Sequence, residues 1–241
     1  MERLQKAIAG FGYCSRRKAE KLILEKKVFV NGEMITELGY KVSANDIITV
    51  EGKTLTQEKK EYILLYKPRG VVTTTSDEHN RKTVLDLLET ETRVYPVGRL
   101  DYDTSGLLIL TNDGQLANLL MHPKSQVDKV YITKVKGLVN KKEILQLRNG
   151  VTIDGFKTSK CGARIISYDK KTDTSIVELT IHEGKNHQVK KMMASVGHEV
   201  IKLKRERLSF LTLKGLKSGE YRYLNIKEVK KLYNEVQKNK D

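Results

Sequence analysis

Apolar positions along this chain switch several times between helical and extended spacing. In "ERLQKAIAGFG" Leu4, Ile8 and Phe11 recur at helical spacing, and Gly12 supplies a stop. Ser15 is placed to cap a second helix, "RRKAEKLILEKK". There Ala19, Leu22 and Ile23 share a face while Arg17 and Lys21 point away. "VFVNGEMI" predicts a hairpin turning at Asn31-Gly32, and "DIITVEG" predicts a further strand. Residues 1–52 thus read as a small αβ module, 53–61 as a polar linker, and 62–241 as a second, larger domain.

From Tyr62 the pattern changes. "YILLYKPRG" predicts a strand ended by Pro68 and Gly70, residues 83–89 a short helix, and "LLIL" (107–110) a buried strand. "GQLANLLMHP" predicts a helix ending near Pro123, and "KVYITKVKG" a strand. Asn140 with Glu143 predicts a capping box, and Gly150 ends that helix. "ARIISY" and "SIVELTIHEG" read as strands, the second alternating around Val177, Leu179 and Ile181. "NHQVKKMMASVG" predicts a helix capped at Asn186 and stopped at Gly197. "EVIKLKRERL" reads as a strand and leads into "LTLKGLKSGEYRYL". Asn225 and Glu228 form a second capping box before a final helix, whose end "QKNKD" is expected to fray. Strand runs joined in hairpin fashion between helices predict an α+β fold with a mixed, largely antiparallel sheet and flanking helices.

The 39% hydrophobic content is spread evenly over 241 residues, which supports a packed core and excludes general disorder. No segment approaches the ~20 apolar residues of a membrane span, and no signal-peptide core opens the chain, so a cytoplasmic location is expected. Charge changes the picture more: 45 Lys+Arg against 30 Asp+Glu leaves +15, which favours a polyanionic partner. The basic residues recur along the whole chain, implying a folded basic surface. Cys14 and Cys161 lack metal-like spacing and are expected as reduced thiols, and the five histidines form no zinc pattern.

"GRLDYDTSG", Gly98 to Gly106, puts Asp101 and Asp103 in a polar loop before the apolar run. Three readings compete: a catalytic carboxylate, a metal site, or a turn. The local sequence offers no further metal ligands, and taken alone the turn is the plainer reading. Tyr131 alone reads as a core residue of a strand. Arg3, Lys6, Arg16, Arg17, Lys18 and Lys21 lie on the two short N-terminal helices, and suit phosphate contacts or a solvated face.

Longer motifs weigh against the plainer readings. "RLQKAIA" followed by "SRRKAEKLILEKKVFVNGEMI" resembles the S4-type RNA-binding domain, which implies that those six basic residues meet structured RNA. "GRLDYDTSGLLILTNDG" is similar to a signature of the pseudouridine synthases, Gly-Arg-Leu-Asp-x-x-Thr-x-Gly-Leu. "LLYKPRGVVTT" looks like that family's opening strand, "LANLLMHPKSQVDKVYITKVKG" its central segment, and "IHEGKNHQVKKMMASVGHEVIKLKRERL" its C-terminal signature. An S4-type domain ahead of such a catalytic domain resembles the branch acting on ribosomal RNA.

The resemblance implies a reaction that breaks the N1–C1′ bond of a uridine, rotates the base and rejoins it through C5, with no cofactor and no metal. It implies that Asp101 is the catalytic carboxylate, as a nucleophile or as a base promoting glycal formation. It implies that Tyr131 stacks on the flipped base and helps deprotonate C5. "HQVKK" aligns with a segment carrying Arg or Lys, the basic partner that holds the aspartate ionised and oriented. On the wheel Val189, Met192, Met193 and Val196 form the buried stripe; Lys191 lies opposite, solvated, and Lys190 at the edge, within reach of a cleft. Lys190 is therefore the expected partner.

Arg99 is expected to contact a phosphate or brace the loop, His187 and Gln188 to face RNA, and Asp103 to cap the turn. The basic loops "KPRG", with Lys67 and Arg69, and "KLKRER" (202–207) are expected to hold the distorted strand around a uridine flipped from its stack. The expected partner is ribosomal RNA, large-subunit (23S) ahead of small-subunit (16S), met by a monomer. A non-catalytic RNA-binding ribosome-assembly factor is the alternative class, and the intact set of Asp101, Tyr131 and Lys190 argues against it.

Overall fold

The hydrophobic pattern turns into two units in the computed structural model, which describes residues 1–238. Residues 1–61, joined by 89–94 and 111–114, make one unit; the remainder makes the other.

In the first unit, helix Leu4–Gly10 precedes helix Arg16–Leu24, whose first turn is capped by Ser15 Oγ accepting from Lys18 N (3.2 Å). A four-stranded antiparallel sheet follows in the order Glu33–Met34, Val28–Val30, Ile48–Val50, Lys53–Thr54. The hairpin turns at Asn31 and Gly32 with φ of 52° and 87°, as a tight Asn-Gly turn requires. Leu4, Ile8, Ala19, Ile23, Val28 and Val50 close its core. The segment expected as a linker begins with the strand Lys53–Thr54. It ends at Glu61, whose carboxylate accepts from the hydroxyls of Thr90 and Thr92, each at 2.8 Å.

The second unit is built on a nine-stranded sheet. Seven strands run in the order Gly162–Asp169, Thr174–Ile181, Lys129–Lys136, Val200–Leu208, Thr104–Thr111, Tyr62–Lys67 and Tyr221–Tyr223. Tyr95–Pro96 pairs with the fifth of these, and Leu211–Thr212 with the fourth. The registered pairs are antiparallel except Val200–Leu208 against Thr104–Thr111. In that central strand Leu107, Leu108, Ile109 and Leu110 are all within 1% of full burial, so both faces are covered and the run does not alternate. Leu107 and Ile109 join Leu64, Leu116, Leu120, Leu208 and Leu232 in one core, which helices Gly114–Met121 and Ile226–Lys238 complete. Thr174–Ile181 does alternate, with Val177, Leu179 and Ile181 buried.

Both capping boxes form. Asn140 caps Lys141–Asn149 reciprocally with Glu143, and Asn225 N and Glu228 N exchange bonds with each other's side chains at 2.9 Å. Three local expectations change. Residues 83–89 hold only a single 3-10 turn, Leu85–Leu87. The helix expected with Asn186 as its cap runs Gln188–Ser195, and the residue in the cap position is His187, with φ of 52° and no side-chain cap. "KLKRER" is not a loop but lies inside strand Val200–Leu208. Gln237 and Lys238 belong to the last helix; the fraying expected of 239–241 falls outside the described residues.

Candidate active site

The Gly98–Gly106 loop is held by backbone contacts before any of its carboxylates act. Thr73 Oγ1 donates to Leu100 O (2.6 Å), and Gly70 N donates to Tyr102 O (2.8 Å). Thr104 N closes a turn onto Asp101 O (3.0 Å). Beneath the loop, Lys67 Nζ donates to the carbonyls of Pro68 (3.0 Å), Asp101 (3.0 Å) and Thr104 (2.9 Å).

Lys67 is fully buried, so it cannot meet RNA as expected. In "YILLYK" Ile63, Leu65 and Lys67 share one strand face, and the first two are completely buried. Burial pushes the Lys67 ammonium down to about 8, against the opposing pull of the Asp101 and Asp103 charges.

The loop opens into strand Thr104–Thr111 at a place only glycine can occupy. Gly106 has φ of 123°, and a Cβ there would sit 2.3 Å from Arg205 O on the parallel neighbour. Arg205 is 4% exposed and its Nε donates to Leu107 O (2.7 Å), so it braces the sheet and is no part of a basic loop.

Helix Gln188–Ser195 brings the basic partners. Val189, Met192 and Met193 are buried and anchor it, which leaves Lys190 at the edge of the apolar stripe. Lys190 Nζ lies 3.1 Å from Asp101 Oδ2, and 2.7 and 3.0 Å from the two oxygens of Asp103. The lysine thus bridges both acids and meets Asp103 with two bonds. Asp103 is more than a turn residue. The Lys190 hydrogen bond holds its carboxyl below the ordinary aspartate range, although burial opposes this. For Lys190, burial works against the charge, but the bonds from Asp103 and Asp101 outweigh it and raise the ammonium above its usual value. Lys191 is not free either; it pairs with Asp154.

His187 Nδ1 lies 2.9 Å from Asp101 Oδ2, so this residue meets the carboxylate directly. Gln188 is buried. Its Nε2 donates to Glu183 Oε2 (2.7 Å) and its Oε1 accepts from Lys185 N (3.0 Å), so it shapes the loop and does not face RNA. Arg69 and Arg99 are exposed, and the Arg69 charge reaches Asp103. Tyr131 is 9% exposed in strand Lys129–Lys136. It pairs with Arg205, which itself pairs with Gly106, so Tyr131 stands two strands, ~10 Å, from the strand that the Gly98–Gly106 loop opens. In the other unit, Arg3, Lys6, Arg16, Arg17, Lys18 and Lys21 are all exposed, and Lys6 pairs with Glu2 (3.0 Å).

The sequence motifs did not reveal the Lys67 anchor, the His187 contact or the bridging of both acids. Strand alternation carries a signal for Lys67; the other two join residues more than eighty positions apart, beyond any local pattern.

Residues 61–195 match the family model described as RNA pseudouridylate synthase, and residues 2–48 match the S4 domain. The chain belongs to the RNA pseudouridylate synthase family. It is 54% identical to the ribosomal large subunit pseudouridine synthase B of Bacillus subtilis, over 96% of each chain. It is 41% identical to an uncharacterized RNA pseudouridine synthase of Aquifex aeolicus, over 97% of this chain and 94% of the relative. A crystal structure of a pseudouridylate synthase, 32% identical, superposes with a TM-score of 0.69, covering 96% of this chain and all of that one. The chain is thus an isomerase acting on RNA, with an S4 domain ahead of a pseudouridine synthase fold. Among the described residues no helix is long and apolar enough to cross a membrane.

Proposed function

We propose that this enzyme isomerises a specific uridine of large-subunit ribosomal RNA, in the cytoplasm and as a monomer. The observation that supports this substrate is the 54% identity to a relative named for the large subunit, over nearly the full length of both chains. In this reading the first unit holds structured RNA through Arg3, Lys6, Arg16, Arg17, Lys18 and Lys21, and the second does the chemistry.

Asp101 is the catalytic carboxylate in this proposal. The uridine leaves its stack, because C1′ and C5 cannot otherwise both be reached. Asp101 acts at the sugar, either by attacking C1′ or by taking a sugar proton. The Lys190 ammonium, 3.1 Å away, keeps a compensating charge beside it through either course. Tyr131 stacks on the base and assists at C5. Exposed Arg69 and Arg99 take phosphates of the distorted strand.

Mapping pseudouridines in both ribosomal RNAs of a deletion strain, complemented with wild type or Asp101→Ala, tests the proposal. The expected result is one missing large-subunit site that wild type restores and Asp101→Ala does not. A missing small-subunit site instead overturns the substrate, and no missing ribosomal site overturns the function.

A further inference from the structure

The two oxygens of Asp101 are not equivalent. His187 Nδ1 (2.9 Å) and Lys190 Nζ (3.1 Å) both approach Oδ2. Among the described residues no hydrogen bond engages Oδ1. A carboxylate only accepts, so the nitrogen of His187 against it must carry the proton.

Oδ2, with two donors of which one is charged, has its lone pairs committed, whereas those of Oδ1 are open. The backbone of the same residue is fixed from the other side by Lys67 on its carbonyl. A half-turn of the carboxylate only exchanges two chemically identical oxygens and restores the same contacts, so one oxygen always meets both donors.

His187 reaches this position at a conformational cost. Its φ of 52° lies in the left-handed region, which non-glycine residues seldom occupy. The surrounding loop imposes it: Gln188 ties Glu183 and the Lys185 backbone together, and Gln188 N donates to Lys185 O (3.2 Å). Ser159 N adds a third tie, donating to Glu183 Oε1 (3.0 Å). A side chain meant only to brush a phosphate has no need of such a conformation.

We propose that His187 is a positioning residue: with Lys190 it saturates Oδ2 of Asp101, so that Oδ1 is the oxygen presented to the flipped nucleotide. This rests on the reading of Asp101 as the catalytic carboxylate. The contact depends on a proton at Nδ1, which the imidazolium and the Nδ1–H tautomer both supply. The charged groups facing this pair are Asp101 and Asp103 on the loop, Lys190 on the histidine's own helix, Arg69 on the turn before the loop, and Lys67 beneath it.

The test uses the full-length enzyme and total RNA from a deletion strain grown with [5-³H]uridine, so that tritium release reports turnover on whichever RNA is the substrate. His187→Asn is the main variant, since Asn tolerates the left-handed backbone but is too short to reach Oδ2. His187→Arg restores a longer donor that stays charged at every pH used. His187→Asn is expected to lower the single-turnover rate at least about tenfold while RNA affinity changes less than about twofold. His187→Arg, which returns a donor within reach of Oδ2, is expected to recover most of the rate.

A rate for His187→Asn within about twofold of wild type overturns the proposal. So does an affinity loss as large as the rate loss, which makes His187 an RNA contact. A His187→Arg variant that recovers none of the lost rate also overturns it. Asp101→Ala run in parallel separates the two levels: if it retains tritium release, the reading of Asp101 fails, whatever His187 does.

Discussion

Lys67 offers a prediction in which stability and activity move in opposite directions with pH. Its ammonium is fully buried and held down to about 8, from an ordinary value of 10.5. Because the folded value lies below the unfolded one, the unfolded chain binds more protons at this site between those two pH values. Stability therefore rises with pH across that window, and the cost of burying the charge is fully present below it. A gap of this size corresponds to about 3 kcal/mol by the top of the window. Activity should fall over the same range. A neutral amine has two N–H donors for the three carbonyls of Pro68, Asp101 and Thr104, and the cation behind the loop proposed to be catalytic is lost.

Two measurements check this. The Lys67 resonances in a side-chain NMR titration should show a midpoint near 8. In urea unfolding, wild type minus Lys67→Met should shift in favour of wild type from pH 7.5 to pH 10 by most of that figure. Lys129 is also pushed down to about 8, by burial first and then by Arg205, and the subtraction cancels its contribution. A Lys67 midpoint above about 10, or a difference that does not change with pH, refutes the reasoning.

Three other substitutions probe separate levels. Lys190→Ala is expected to slow single turnover by about a hundredfold with little effect on RNA affinity, measured by stopped single-turnover assay and filter binding; equal losses in both would assign Lys190 to RNA binding. Gly106→Ala places a Cβ 2.3 Å from Arg205 O at a φ of 123°, and should cost more than about 4 kcal/mol of stability; a near-unchanged melting temperature would contradict the close approach. Asn140→Ala breaks the capping box with Glu143 and should cost about 1 kcal/mol in denaturant melts, with Asn140→Gly costing only a few tenths; equal costs for the two would argue against the cap.

Legibility in the sequence followed the range of the interactions. The Asn31-Gly32 hairpin, the Ser15 cap and the two capping boxes depend on residues within four positions of each other, and all formed where their residues predicted them. Where side-chain type was weighed ahead of strand period, the reading failed. Charge alone reads Lys67 and Arg205 as surface cations. Yet "YILLYK" continues the alternation of Ile63 and Leu65, and "KLKRER" continues a strand that packs tightly against Gly106. The local signal at Asn186 also misled: a good capping residue stands there, but the loop holds His187 in a left-handed conformation that begins the helix later. Capping preference alone does not foresee that step, because the ties of Gln188 to Glu183 and to the Lys185 backbone fix the loop.

The arrangement also answers how an acidic loop can serve a reaction on a polyanion. Asp101 and Asp103 alone would repel a phosphodiester backbone. Lys190 bridges them, Lys67 stands charged beneath the loop at neutral pH, and Arg69 acts on Asp103 from the neighbouring turn. Two carboxylates thus face three cations, and the immediate site carries a net positive charge. Only Arg69 among the three is exposed and free to turn toward RNA; the other two are committed to the loop and its acids. The proposed site thereby separates two jobs that a single exposed lysine would confuse: buried or bridging cations fix the acids, and the exposed Arg69 and Arg99 are left for the strand in that proposal. Screening by salt acts mainly on the exposed set, so binding should weaken with ionic strength well before the single-turnover rate of the bound complex changes.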